Sequence, residues 1–325
     1  MNSFHRRIST LLIFVVVASA GTCLAANTAN DASFLGGGPT RILILGDSIT
    51  QDGRYVSYLE YYLHHHAPGQ KIDIISIGLS SETASGLSEK SHPFPRPCVL
   101  ERLDRALKMT KPQVVLACYG MNDGIYHPPS DERLAAFKEG ISHLIAQVRA
   151  TGTPLMLITP PVFDALSIRS KTVSKANPEF GYSKPYEGYD DVLAEYARTE
   201  LAIHETAVTV SDVHGAFLSA LSAQRRNDPN FTFAPDGVHP NDEGHRLIAR
   251  TILQSMGYSL PADSVAQIQA DPVFSLIQQK RQLRSESWLP FVGYVRGETF
   301  KSASVTAAEA VIVRLQHEID AIPVK

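Results

Sequence analysis

ILILGDSIT, residues 42–50, is a short apolar and β-branched run that breaks at Gly46 and carries Asp47 and Ser48 onto the next turn. Four apolar residues bounded by glycine read as a strand buried on both faces, opening onto a polar loop at its carboxyl end. In open α/β sheets that end of the strands is where ligands bind. Serine is also an ordinary turn residue and helix cap, so Ser48 acquires meaning only from partners elsewhere. Asp236-Gly237-Val238-His239-Pro240 sets an acid and a histidine three positions apart. Between them in the chain, Gly120-Met121-Asn122-Asp123 follows a second apolar run, VVLACY at 114–119.

Working outward, apolar or β-branched runs recur at residues 71–77, 113–119, 154–159 and 207–211. Amphipathic stretches at 55–65, 100–109, 132–150, 187–204 and 241–256 alternate with them and read as helices, the last starting at Pro240-Asn241. Strands alternating with helices imply parallel βαβ units with right-handed crossovers, hence an α/β fold in which helices cover both faces of one sheet. Residues 163–186 form a long polar, lysine-bearing interval that reads as a surface insertion beside the site.

With 325 residues, 44 % of them hydrophobic, the chain can bury a large core, and its apolar content excludes general disorder. A net charge of −3 and the absence of a basic stripe argue against a nucleic-acid partner. At the amino terminus, basic His5-Arg6-Arg7 precedes LLIFVVVASA (11–20), which is short for a membrane span and is followed by small residues up to Ala25 and Ala26. That layout predicts an export signal peptide over residues 1–26, then a linker over 27–40 containing Gly36-Gly37-Gly38-Pro39. The expected location is periplasmic or secreted, with no stable membrane insertion once the signal is removed. Two cysteines then remain, Cys98 and Cys118; Cys118 reads as a small buried residue, and whether the pair is bridged stays open. Residues 41–256 hold the main domain. Residues 257–325, with the only tryptophan, Trp288, and an expected final helix at 303–321, read as an extension packed on or beside it.

Hydrolysis by serine requires a hydroxyl, a base to take its proton, a group that orients the base, and donors aimed at the developing oxyanion. Ser48 on its turn suits the first. Neutral His239 suits the second, and Asp236 can reach its other ring nitrogen. The Asn122 amide is a neutral donor suited to an oxyanion. Gly78, after the strand at 71–77, allows close substrate approach and supplies a backbone N–H. Asp47, Asp123, Tyr126 and Phe163 are candidates for substrate contact because they border these positions. His64-His65-His66 cannot all face one ion, and neither a phosphate-binding loop nor a dinucleotide motif occurs, so no metal or cofactor is expected.

In this order the residues resemble the SGNH hydrolase superfamily, the GDSL-type esterases and lipases. Gly46-Asp47-Ser48-Ile49-Thr50 is similar to its first block, Gly78 falls where its second block has a glycine, Gly120-Met121-Asn122-Asp123 matches the third, and Asp236-Gly237-Val238-His239 matches the last. In the second block, Ser76 and Ser81 stand where the family commonly has asparagine and a second glycine; the Pro-rich run 92–97 that comes after it reads as a pocket wall or as a stiff surface loop. The resemblance spans about residues 41–256. It implies a three-layer α/β/α sandwich with a flavodoxin-like five-stranded parallel sheet. It further implies a Ser48–His239–Asp236 triad, and an oxyanion hole from the Ser48 and Gly78 N–H groups and the Asn122 amide. The expected activity is hydrolysis of O-acyl esters through an acyl-enzyme, with acetylated carbohydrate favoured as the small-molecule or glycan substrate. A lysophospholipase or thioesterase, and a non-catalytic glycan-binding protein on the same scaffold, are the alternatives. Oligomeric state is not legible.

Overall fold

In the computed structural model, residues 35, 38–67, 69–293 and 303–323 are described; the signal-peptide region and most of the linker lie outside them. Five strands carry the core: β1 (Thr40–Gly46), β2 (Ile72–Ser76), β3 (Val114–Cys118), β4 (Leu155–Ile158) and β5 (Val208–Ser211). They pair in the order β2-β1-β3-β4-β5, every pair parallel. β1, β3 and β4 are almost wholly buried, as strands covered on both faces must be.

Helices lie in the connections between strands, α1 (Ser48–Asp52), α2 (Arg54–His66), α3 (Leu103–Thr110), α4 (Asp131–Arg149) and α5 (Tyr189–Leu201), and two more, α6 (Val213–Arg225) and α7 (Asp242–Ser255), follow β5. The three-layer α/β/α arrangement with a five-stranded parallel sheet is the one the sequence implied. Sheet order and register bring two carboxyl-end loops together. β1 is flanked by β2 and β3, so the strand order reverses there and leaves a crevice above β1 and β3, where flavodoxin-like sheets place their ligands. Gly46 is paired in register with Cys118, so the chain leaves β1 and β3 side by side.

The region after residue 256 contains α8 (Val265–Gln269), α9 (Pro272–Phe291) and α10 (Val305–Asp320). α9 packs along α2 and the edge strand β2, and α10 packs on α9. Phe274, Trp288, Leu289 and Val292 join the main hydrophobic core, while Val273, Ile277 and Ile319 make a small second cluster. Cys98 and Cys118 are both free thiols. No described helix is long and apolar enough to cross a membrane.

Candidate active site

Ser48 opens α1, directly beyond β1. The Asp47 side chain caps that helix by accepting the Ile49 N–H at 2.9 Å. Gly46 is required at the turn: a Cβ there would lie 2.1 Å from Thr50 Oγ1 and 2.9 Å from the Cys118 carbonyl oxygen. Ser48 Oγ lies 2.8 Å from His239 Nε2, across 191 residues of chain.

His239 sits on the loop before α7. Asp236 folds that loop on itself: its Oδ1 accepts the Val238 and His239 N–H groups at 3.0 and 2.7 Å, and its Oδ2 lies 2.7 Å from His239 Nδ1. An ionised carboxylate can only accept, so Nδ1 carries the proton and Nε2 presents its lone pair to Ser48. Arg54 fastens the loop to α2 by donating to the Pro240 carbonyl at 2.9 Å and to Asp242 at 3.2 Å. Asn241 caps α7 through the Gly244 N–H. Burial pushes the Asp236 carboxyl up, but the hydrogen bonds from the His239 side chain and from the two backbone N–H groups outweigh it and hold it below the usual carboxylate range. The same carboxylate raises the His239 pKa above 6.5, against a smaller opposing effect of burial.

Beyond β3, Asn122 is 4 % exposed. Its Nδ2 faces Asp47 Oδ2 and the Glu82 carbonyl, both at 3.3 Å, and its Oδ1 accepts from Arg96 Nη1 at 2.9 Å and from the Tyr126 hydroxyl at 3.2 Å. Asp123 is fully buried and binds three backbone N–H groups, of Ala84, Ser85 and Gly120, at 2.7–2.8 Å. It therefore ties the segment after β2 to the turn after β3. Asp47 is 2 % exposed, and burial raises its pKa to about 7. Phe163 and Tyr126 are also buried and pack with Tyr189. All four residues expected to border the substrate are thus buried.

Gly78 is packed against α1: a Cβ there would come within 2.4 Å of the Gln51 nitrogen, so the close approach of two backbones accounts for this glycine. Ser81, three residues on, adopts a left-handed backbone (φ 68°). The Pro-rich run 92–97 supplies Arg96, whose guanidinium forms a two-pronged pair with Glu89 at 2.6 and 2.7 Å. Neither Glu89 nor Arg96 stands out in the sequence; an arginine between two prolines is the only local sign.

The model of the GDSL-like lipase/acylhydrolase family matches residues 44–247, and the chain belongs to this family of ester hydrolases. Its fold is shared with a catalytic variant of Axe2, an acetylxylan esterase from Geobacillus stearothermophilus, at 21 % identity over 71 % of this chain and 100 % of that one, with a TM-score of 0.51. A putative GDSL-like lipase from Parabacteroides merdae matches at 18 % identity over 68 % and 96 % of the two chains, with a TM-score of 0.48. No curated protein sequence matches significantly.

Proposed function

We propose that the protein is an exported serine esterase that removes acetyl or other short O-acyl groups from carbohydrate. The observation that carries this reading is the unbroken line from Ser48 Oγ through the His239 ring to Asp236 Oδ2, at 2.8 and 2.7 Å. Ser48 attacks the ester carbonyl carbon while His239 Nε2 takes the hydroxyl proton. Asp236 keeps the imidazole in the required tautomer and stabilises the imidazolium. The carbonyl oxygen gains the charge, and the Asn122 amide with the Ser48 N–H and a backbone N–H of the 78–83 segment donate to it, Gly78 being the donor the family pattern names. As the tetrahedral intermediate collapses, the bond to the alcohol oxygen breaks and His239 returns the proton to that oxygen. Water, deprotonated by His239, then attacks the acyl-Ser48 carbonyl and releases the acid.

Three observations support a short acyl group on a polar alcohol. Asn122 and its partners Asp47, Arg96 and Tyr126 are buried and joined by hydrogen bonds, a polar surround for the reacting ester. The basic and apolar layout of residues 5–26, read as an export signal, would place the enzyme outside the cytoplasm, away from thioester substrates. A protein sharing the fold is an acetylxylan esterase. The test is hydrolysis of p-nitrophenyl esters from acetate to decanoate, and then acetic acid release from acetylated xylan, by the wild type and Ser48→Ala. Acetate preferred, acetic acid released from the glycan and both activities lost in the variant are expected. A preference for decanoate would replace the reading with a lipase-type one, and an active Ser48→Ala protein would remove the nucleophile.

A further inference from the structure

An asparagine amide offers one edge that accepts and one that donates, and only the donating edge can stabilise an oxyanion. Nothing intrinsic to Asn122 decides which edge faces the Asp47–Ser48 turn. Its neighbours do. On one side stand acceptors, the Asp47 carboxylate and the Glu82 carbonyl; on the other stands Arg96, which has five donors and no acceptor. A half-turn of the amide would set N–H against guanidinium N–H and oxygen against oxygen.

We propose that Arg96, held by Glu89, is a positioning residue for the reaction: it locks the Asn122 amide with its donating edge toward Ser48 and polarises it. This rests on Asn122 acting as the oxyanion donor. Two features argue that the pair serves more than packing. Both side chains are only 1 % exposed, and a buried ion pair is commonly no more stabilising than apolar residues of the same volume. Glu89 engages Nε and Nη2 of the guanidinium, which leaves Nη1 for Asn122 Oδ1 at 2.9 Å, with the Ser81 carbonyl further off at 3.4 Å.

The geometry is rigid. Pro95 and Pro97 restrict the backbone on either side of Arg96. The guanidinium carbon lies 5.5 Å from the centre of the Tyr126 ring, whose hydroxyl is the second donor to Asn122 Oδ1. Glu89 also accepts the Tyr182 N–H at 3.2 Å, so the 163–186 insertion is tied to the same pair. A charged donor on the amide oxygen withdraws electron density from the nitrogen, and hydrogen bonds in such a chain strengthen one another in a dry interior. The amide then meets a developing oxyanion with its plane already set, and only one of its long 3.3 Å contacts, to Asp47 or Glu82, has to yield to the new charge.

The experiment is a kinetic double-mutant cycle on the full chain with p-nitrophenyl acetate, comparing Arg96→Met/Glu89→Leu, Asn122→Ala and their combination, each checked for a cooperative thermal transition. The paired replacement avoids stranding one charge in the core. It is expected to lower kcat about 10- to 100-fold, inside the ~10²–10³-fold loss that defines an oxyanion donor, with KM changed less than about twofold. In the Asn122→Ala background the same replacement should change kcat less than about threefold, because the amide it positions is gone. Should the paired variant fail to fold, Arg96→Lys supplies the readout: it keeps the charge but not the fork, and its loss of kcat must also vanish in the Asn122→Ala background. A folded variant with wild-type kcat, or losses that multiply across the cycle, overturns the positioning role while leaving Asn122 intact. Wild-type kcat in Asn122→Ala alone overturns the donor assignment and this inference with it.

Discussion

On one side of Ser48 stand Asn122 and Asp47, 4 % and 2 % exposed, in a dry network that runs on through Arg96 and Glu89. On the other side stand His239 and Asp236, whose side chains keep 44 % and 55 % of their exposure on a loop. The two halves answer different demands. A donor to a developing charge gains most where the dielectric is low and nothing has to reorganise. A group that accepts and returns protons, and that must admit water to an acyl-enzyme, cannot be sealed in. The exposed Asp236–His239 pair is screened by solvent, so its contribution is orientation and tautomer more than raw attraction. The buried half holds its shape through the Arg96–Glu89 ion pair and through hydrogen bonds to the Asp47 and Asp123 carboxyls.

The exposed half should show the largest losses when it is broken. Ser48→Ala and His239→Ala should each lower kcat about 10⁶-fold, since neither step proceeds without both groups. Steady-state and single-turnover kinetics would measure it, and residual activity above about 1 % in either variant would overturn the roles of both residues. Asp236→Asn should cost about 10⁴-fold, the loss expected when the wrong tautomer is offered, with thermal stability changed little because the residue is exposed. In the buried half, Asn122→Ala should cost about 10²–10³-fold. The Asn122→Ala loss should not change between 50 mM and 500 mM salt, because the buried half is shielded from ions.

The pH dependence separates the halves further. In the proposed reaction His239 must be neutral to accept the Ser48 proton, and the Asp236 carboxylate holds its pKa above 6.5. The rate should therefore climb with pH through a midpoint above 6.5, and Asp236→Asn should move that midpoint down. An acid limb that stays in place in Asp236→Asn would assign it to another group. Asp47, raised to about 7 by burial, is the first to examine.

The smallest effect concerns stability. Glu200 is fully buried, and neither carboxyl oxygen has a hydrogen-bond partner among the described residues. Burial pushes its pKa well above the usual value. A carboxyl raised on folding contributes stability that is fully present below its unfolded pKa of about 4.3 and is lost as pH rises toward the folded value. Glu200→Gln removes the ionisation, so its melting temperature should gain on the wild type as pH rises from 4 to 8. A difference that is flat in pH would contradict the buried charge.

The pattern of legibility reflects the same physics. The strands and Ser48, Asn122, Asp236 and His239 could be read because each residue follows an apolar run or has its partner three positions away. Four helices escaped. α1 and α8 are five residues each, too short to show a period. α6 begins immediately after β5, and α9 mixes apolar positions with Gln, Lys and Arg and carries Pro290 inside its last turn, so neither shows a clean 3.6-residue stripe. Glu89 and Arg96 escaped for another reason. Their contacts join a loop to a turn 26 residues away, and no period or motif encodes such a contact. Gly78 was visible as a glycine, but the backbone of α1 pressed against it was not.

Every step of the proposed reaction turns on Ser48 as the nucleophile. The most direct measurement is covalent trapping with a fluorophosphonate, read by intact mass and peptide mapping. One adduct per chain, on Ser48, formed in step with loss of esterase activity and absent from His239→Ala, is the predicted result. An adduct on another residue, or full activity in a stoichiometrically labelled protein, would contradict it.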